Sequence, residues 1–449
     1  MTETTSRQSL LLLPIALSGG VFLDSSAWAQ TSPTNQEPVI SPFPLDQPAP
    51  LPGLPQAPDD PFQFNQDTPT EGSPVLEDVP AVSFFVEEIQ VVGNTLFDSE
   101  IEALVSPLEN RDSTLADLLD LRTAITELYV NNGYITSGAF IPTNQDLTAG
   151  VVQIQVVEGE VEQLQVNGLS RLRDGYVRDR INRVIDAPLN IRRLEEGLQI
   201  LQIDPLLNRV NAELTAGSGP GRNLLILDLE EADPFIGTLG ADNYRAPSIG
   251  SSQGGANITH LNLLGFGDRL GASYSWTDGL DLYEVRYGIP FNGLDGTLTL
   301  RYENAESRIV DPRFIDIGIR SESETFALGV RQPLNRSLTN EVALGLGFDL
   351  RESRSFIRNT EPFSFSVGPE NGVARVSSIR FFQEWVNRDL NRVIAARSQF
   401  SLGLGWFGAT VNDTGTDGRY FSWLGQFQWV EQLPAETLWV TRFNRPVVN

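Results

Sequence analysis

Residues 86–93 read VEEIQVVG, and residues 161–168 read VEQLQVNG. The second phrase starts 75 positions after the first (161 − 86), and both alternate apolar and polar side chains before stopping at glycine. Such alternation marks a half-buried strand. One repeated octapeptide is weak evidence, so the order of elements after each copy decides. Around the first copy, 84–92 reads as a strand, and Asp98 as the cap of a helix over 99–105 that Pro107 stops. Ser113 or Thr114 then caps a second helix, whose stripe of Leu115, Leu118, Leu119, Leu121, Ile125 and Leu128 ends at Asn132-Gly133. Strands over 134–141 and 151–157 complete the set. The second copy keeps that order: a strand over 161–166, helices over 177–185 and 189–201, and strands over 209–215 and 224–229 flanking a Gly-rich loop at 217–221. The later elements align at offsets of 74 (Leu115 to Leu189) and 73 (Val151 to Leu224). Agreement in order predicts a duplicated β-α-α-β-β module, 81–158 and 159–232.

Beyond Pro234 the helical period gives way to two-residue alternation. Tyr283, Val285, Tyr287 and Ile289 oppose Glu284, Arg286 and Gly288, and Val342, Leu344, Leu346, Phe348 and Leu350 oppose Ala343, Gly345, Gly347 and Asp349. A soluble sandwich also alternates. Two features favour a membrane barrel over 233–449: the second face is small and polar with both charge signs, and the connections alternate between short (264–268, 333–340, 387–392) and long (304–321, 352–372, 408–418). Strands spanning lipid must close, because lipid offers no partner to backbone polar groups. About eleven strands are expected, the last over 437–443, although single-chain bacterial barrels have even counts. An Arg facing lipid near the midplane costs about 2–4 kcal/mol, so Glu284, Arg286, Arg301, Glu303, Arg331 and Asp349 are expected to line the lumen.

Composition narrows the function. There is no Cys, one His, and no Lys, so every cationic side chain is an Arg. Little remains for thiolate, metal-ligand or general acid–base chemistry, and no catalytic or metal residues and no cofactor are expected. The net charge of −26, without a basic stripe, argues against nucleic acid as a partner. The glycines of 403–408 formally spell GxGxxG, but no helix comes after them to accept a pyrophosphate, so no nucleotide is expected. His260 has no second His or Cys with which to share a metal, and the acidic 412–418 lacks the downstream Glu of a calcium loop. Trp276, Trp406, Trp423, Trp429 and Trp439 fit interfacial girdles beside outer-membrane lipids. At the N-terminus, Arg7, the apolar 10–17 and Ala27-Trp28-Ala29 resemble an export signal over 1–29. Residues 30–80 hold 13 Pro and no Arg, the composition of an extended, disordered linker.

The segment YVNNGYITSGAFIP at 129–142, with Gln145-Asp146-Leu147 and 150–159, resembles the first POTRA domain of the two-partner secretion outer-membrane transporters, the haemolysin secretion/activation proteins. LNIRRLEEGL at 189–198 with the loop at 217–221 is similar to their second POTRA domain, and LLGFGDR at 263–269 resembles the turn after the second barrel strand. The resemblance implies two α+β POTRA domains ahead of an antiparallel transmembrane β-barrel. Because the family's barrel has sixteen strands, it also implies a barrel that is C-terminally incomplete here. The implied activity is capture of an unfolded, exported exoprotein of β-repeat architecture by periplasmic POTRA domains and its secretion through an outer-membrane pore. The resemblance further implies client contacts by strand addition at the 134–141 edge, through Tyr134, Ile135, Thr136 and Ser137, with Leu115 and Ile125 added by the adjoining helix. Thr136 and Ser137 are expected to be exposed. The alternatives are a barrel-assembly insertase, which carries a longer POTRA array, and a solute porin with periplasmic docking domains.

Overall fold

The computed structural model describes residues 83–143, 145, 150–415, 417–434 and 437–448. The expected export signal and proline-rich linker lie outside the described residues. The first module contains β1 (Ser83–Val86), β2 (Glu88–Val92), α1 (Asp98–Val105), β3 (Arg111–Thr114), α2 (Leu115–Asn131), β4 (Gly138–Phe140) and β5 (Val151–Val157). Its sheet runs β2-β5-β4, with β2 parallel and β4 antiparallel to β5. The second contains β6 (Glu160–Asn167), α3 (Asp174–Ile181), α4 (Ile191–Gln202), β7 (Leu207–Ala216) and β8 (Arg222–Glu231). Its order β6-β8-β7 has the same strand senses. Each module packs its helices on its own apolar core: Ile101, Leu118, Leu121, Ile125 and Ile154 in the first, Ile181, Leu194, Leu198 and Leu227 in the second.

The repeated glycine is required by that packing. Gly93 and Gly168 have φ of 90° and 86°. A Cβ at Gly93 would collide with the carbonyl of Val156, and one at Gly168 with the carbonyl of Leu229, each on the central strand of its own module. A second pair is equally symmetric. Glu158 directly follows β5 and accepts hydrogen bonds from the Thr95 and Leu96 amides, the Thr95 hydroxyl and the Tyr129 hydroxyl. Glu231 ends β8 and accepts from the amides of Ser170, Arg171 and Leu172, with the Arg171 guanidinium at 2.8 Å. Burial pushes both carboxyls up, but these donors outweigh it and hold both below the ordinary range, Glu231 at about 2.

Local readings change in three places, and one is sharpened. The expected strand over 84–92 breaks at Glu87, whose amide donates to Gly150, so that β1 pairs with β3 and only β2 joins the main sheet. Asp98 is the first residue of α1 rather than its cap; Phe97 occupies that place at φ 64°. Thr114 caps α2 in a reciprocal capping box with Asp117. The strand expected over 134–141 shrinks to Gly138–Phe140. Gly133, at φ 90°, ends α2, and the turn after it is held by Tyr134 donating to the Tyr129 carbonyl and Ser137 to the Tyr134 carbonyl.

The remaining chain forms one antiparallel sheet: β9 (Phe235–Asp242), β10 (Gln253–Leu261), β11 (Arg269–Thr277), β12 (Leu280–Pro290), β13 (Thr297–Arg308), β14 (Arg320–Arg336), β15 (Asn340–Ile357), the two-residue β16 (Glu361–Pro362), β17 (Val373–Arg388), β18 (Arg392–Leu404), β19 (Phe421–Leu433) and β20 (Thr437–Val448). Successive long strands pair, β16 flanks β15, and the sheet is open between β9 and β20. Eleven long strands match the count read from alternation. They run further than alternation suggested, β15 reaching 18 residues. Far from the POTRA modules the connections are mostly long, but β11 and β12 are joined there only by Asp278 and Gly279, against the expected alternation. Trp406, expected in an interfacial girdle, lies beyond β18 in the following turn.

The burial of this sheet is inverted. Tyr283, Val285, Leu300, Tyr302, Phe326, Leu328, Val330 and Leu346 are exposed, whereas Glu303, Ser321, Ser323, Thr325, Asp349, Ser378, Gln399 and Ser401 are buried. On β15 the outward apolar positions run from Val342 to Leu350, within the 9–11 residues a tilted strand needs to cross a bilayer core. Among the described residues no helix is long and apolar enough to cross a membrane.

Candidate client path

The POTRA edges differ in openness. In the first module β4 is three residues long, and the amide of its Ala139 donates to Thr126 Oγ1 on α2 at 3.0 Å. The helix thereby covers the middle of the edge. In the second module β7 has ten residues. Its Val210 amide is taken by Gln202 Oε1 at 2.9 Å, at the last residue of α4. By strand alternation Ala212 and Leu214 turn their amides and carbonyls to the same outer side, where nothing pairs with β7 among the described residues.

The six residues expected at the client edge fall apart. Leu115 and Ile135 are exposed, but Ile125 is fully buried in the core. Tyr134 packs edge-on against Phe97 and Tyr129. Ser137 is buried and its Oγ accepts from the Gly159 amide, and Thr136 is half-buried with an enclosed hydroxyl. The expected exposure of Thr136 and Ser137 is therefore corrected: a tight turn, not an extended edge, holds them. The longer edge on β7 was missed, although the duplication itself pointed to the equivalent strand.

All six residues expected in the lumen lie on the face of the sheet opposite the outward apolar side chains, and they are paired. Arg301 is 3.8 Å from Glu284 and 3.4 Å from Glu303, and Arg286 lies 3.0 Å from Glu284. Asp349 pairs with Arg380 at 3.3 Å. Arg331 bridges Glu341 and Glu384, which also hold Arg388 and Arg397. These last four residues were not singled out in the sequence. Their positions on the polar side of each strand's alternation could have found them. A continuous polar face of mixed charge can hold water and slide a polypeptide without offering it an apolar trap.

At the end nearest the POTRA modules, the turn 262–268 carries Gly265 and Gly267 at φ 88° and 77°. A Cβ on Gly267 would enter the Tyr176 ring, and Gly265 accepts from the Arg173 amide at 3.0 Å. The GFGD-type turn is thus where the second module sits on the barrel.

Two family comparisons match this arrangement. The ShlB-type POTRA domain matches residues 84–159, and the haemolysin secretion/activation protein ShlB/FhaC/HecB matches residues 221–444. The chain belongs to this family of secretion proteins. Its sheet is an outer-membrane barrel sheet, with the POTRA modules on the periplasmic side. The outer membrane transporter CdiB of Escherichia coli O6:K15:H31 (strain 536 / UPEC) is 27% identical over 334 residues, 73% of this chain and 55% of that one. The heme/hemopexin transporter protein HuxB of Haemophilus influenzae (strain ATCC 51907 / DSM 11121 / KW20 / Rd) is 25% identical over 264 residues, 55% of this chain and 46% of its own. The chain thus spans about half the length of the curated relatives it matches. The solved structure of CdiB from Escherichia coli shares the fold with a TM-score of 0.61 at 24% identity, covering 85% of this chain and 71% of that one.

Proposed function

We propose that the chain works as the outer-membrane component of two-partner secretion, taking an exported, unfolded exoprotein of β-repeat architecture from the periplasm across the outer membrane. One observation carries this reading: a sheet with apolar side chains outward and paired charges inward is joined in one chain to two POTRA modules with unpaired strand edges. Relatives named as an outer membrane transporter and as a hemolysin transporter support the transport part of this reading. The client adds a strand to β7, where outward backbone groups give affinity with little demand on sequence. Leu115 and Ile135 offer it apolar contacts on the first module. The paired charges from Glu284 to Arg397 hydrate the path without a net apolar surface. Folding of the client outside supplies the direction.

The test is co-expression with an exported exoprotein of β-repeat architecture, scoring its release into the medium. Ala212→Pro removes an outward amide at an edge where proline is tolerated. It should cut release and photo-crosslinking of client to β7 by tenfold or more while the variant still reaches the outer membrane. Undiminished release would reject β7 as the docking edge, and no release with the unaltered chain would reject the transport reading itself.

A further inference from the structure

We infer that Asp295 is a positioning residue: it locks the second POTRA module to the barrel, so that these two move as one body and periplasmic motion is left to the seam between the POTRA modules. Asp295 stands in the turn between β12 and β13, held at φ 61° by its amide to the Asn292 carbonyl. Asn292 builds the turn further, accepting from the amides of Leu294 and Gly296 and donating to Gln332. One Asp295 carboxylate oxygen takes Arg180 from α3; the other takes Arg336 at the end of β14. A single side chain therefore ties a POTRA helix to two barrel strands.

Arg180 is almost enclosed, its side chain 10% exposed. Its guanidinium lies 3.4 Å from the Tyr176 ring centroid, and Tyr176 in turn donates to Asp204 at 2.6 Å. An enclosed cation that loses its carboxylate is left uncompensated, which makes this bridge costly to open. Around it the contact is broad. Leu261 of β10 belongs to the apolar core of the second module. Arg173 covers the Phe266 ring at 3.8 Å, a Cβ on Gly293 would strike the Asp179 carbonyl, and Glu196 accepts from the Leu338 amide at 3.3 Å. Three successive periplasmic turns are engaged, and only residues 232–234 separate β8 from β9.

The seam between the two POTRA modules is built differently. The carbonyls of Asn131, Asn132 and Gly133, where α2 ends, accept from Arg192, Asn190 and the Ile191 amide at the start of α4, and Ser137 Oγ accepts from the Gly159 amide. Among the described residues no ion pair crosses it, and the side-chain hydrogen bonds of Asn190 and Arg192 are exposed to competing water, with only the Ser137–Gly159 bond sheltered. The inference rests on the transport reading only for its purpose: a fixed second module presents the start of β7, three residues after Asp204, at the barrel mouth.

Because the chain has no Cys, two introduced ones take spin labels specifically. Glu213→Cys with Leu390→Cys spans the second module and the barrel, and Glu100→Cys with Glu213→Cys spans the seam; all three sites are exposed. Pulsed dipolar distances are read on the full chain in outer-membrane vesicles. The expected result is a 213–390 distribution at most half as wide as the 100–213 distribution. Asp295→Asn should broaden it at least twofold and leave the seam unchanged, with Asp295→Glu restoring the width. Should Asp295→Asn fail to assemble, Arg336→Gln leaves Arg180 paired and should broaden the distribution by a smaller amount. A native 213–390 distribution as broad as the seam, or one unmoved by Asp295→Asn or, in its place, Arg336→Gln, overturns the inference. Because distance is read without client, this outcome is separable from loss of secretion.

Discussion

The two halves of the chain solve opposite solvent problems with the same two-residue alternation. In the POTRA modules Val152, Ile154 and Val156 point inward and are buried. In the membrane sheet Leu346, Leu328 and Tyr302 point outward and are exposed, while Thr325, Asp349 and Glu303 are enclosed. Strand geometry is the same in both; what differs is which face meets a medium without hydrogen-bond partners. A burial pattern therefore reports the solvent as much as the strand.

Equivalent substitutions in the two halves test that contrast. The largest effect is expected from Ile125→Ala, which empties a fully buried site in the first module and should cost about 2–5 kcal/mol. Leu346→Ala on the outer face leaves no cavity and should leave barrel stability nearly intact. Hydrogen exchange of α2 and heat-modifiability of the barrel on gels report the two separately; equal losses would erase the contrast.

Next, Leu346→Arg should cost about 2–4 kcal/mol in the membrane and reduce assembly, whereas Glu213→Arg on the exposed face of β7 should change assembly little. Quantitative membrane fractionation decides between them.

Third, Glu231→Gln should destabilise the second module by about 2 kcal/mol, since a carboxylate collecting several donors is lost. The pH sign comes from a folded pKa of about 2 against an ordinary 4.5. Its stabilisation is present above 4.5 and is lost as pH falls toward 2. Urea midpoints between pH 6 and 2 should fall steeply in the native chain and more shallowly in the variant.

The smallest effect is expected from Thr114→Ala, which removes the α2 cap and should cost about 1 kcal/mol. Faster exchange limited to the first turn of α2 would be the signature.

Much of this was legible beforehand, for local reasons. The order of both modules, the strand count and the common face of Glu284, Arg286, Arg301, Glu303, Arg331 and Asp349 come from periods of 3.6 and 2 along the chain. The readings that failed concern ends and edges. Nothing local in 134–137 says that a turn at Gly133 will tuck Ser137 against Gly159, or that Thr126 will cover the β4 edge.

By itself, then, the sequence determined that a duplicated module precedes an alternating sheet and which side chains share a face, because alternation is set between neighbours in the chain. The repeated glycine belongs to that account only as a stop. Only the tertiary structure decided why it must be glycine, with the Val156 and Leu229 carbonyls lying where a Cβ would go. It also decided that β7 is the long open edge, and that Arg180 and Arg336 share Asp295. Partners 115 and 41 positions from Asp295 (295 − 180 and 336 − 295) meet only once the strands have set the turns beside the POTRA helices, and no local pattern encodes that distance.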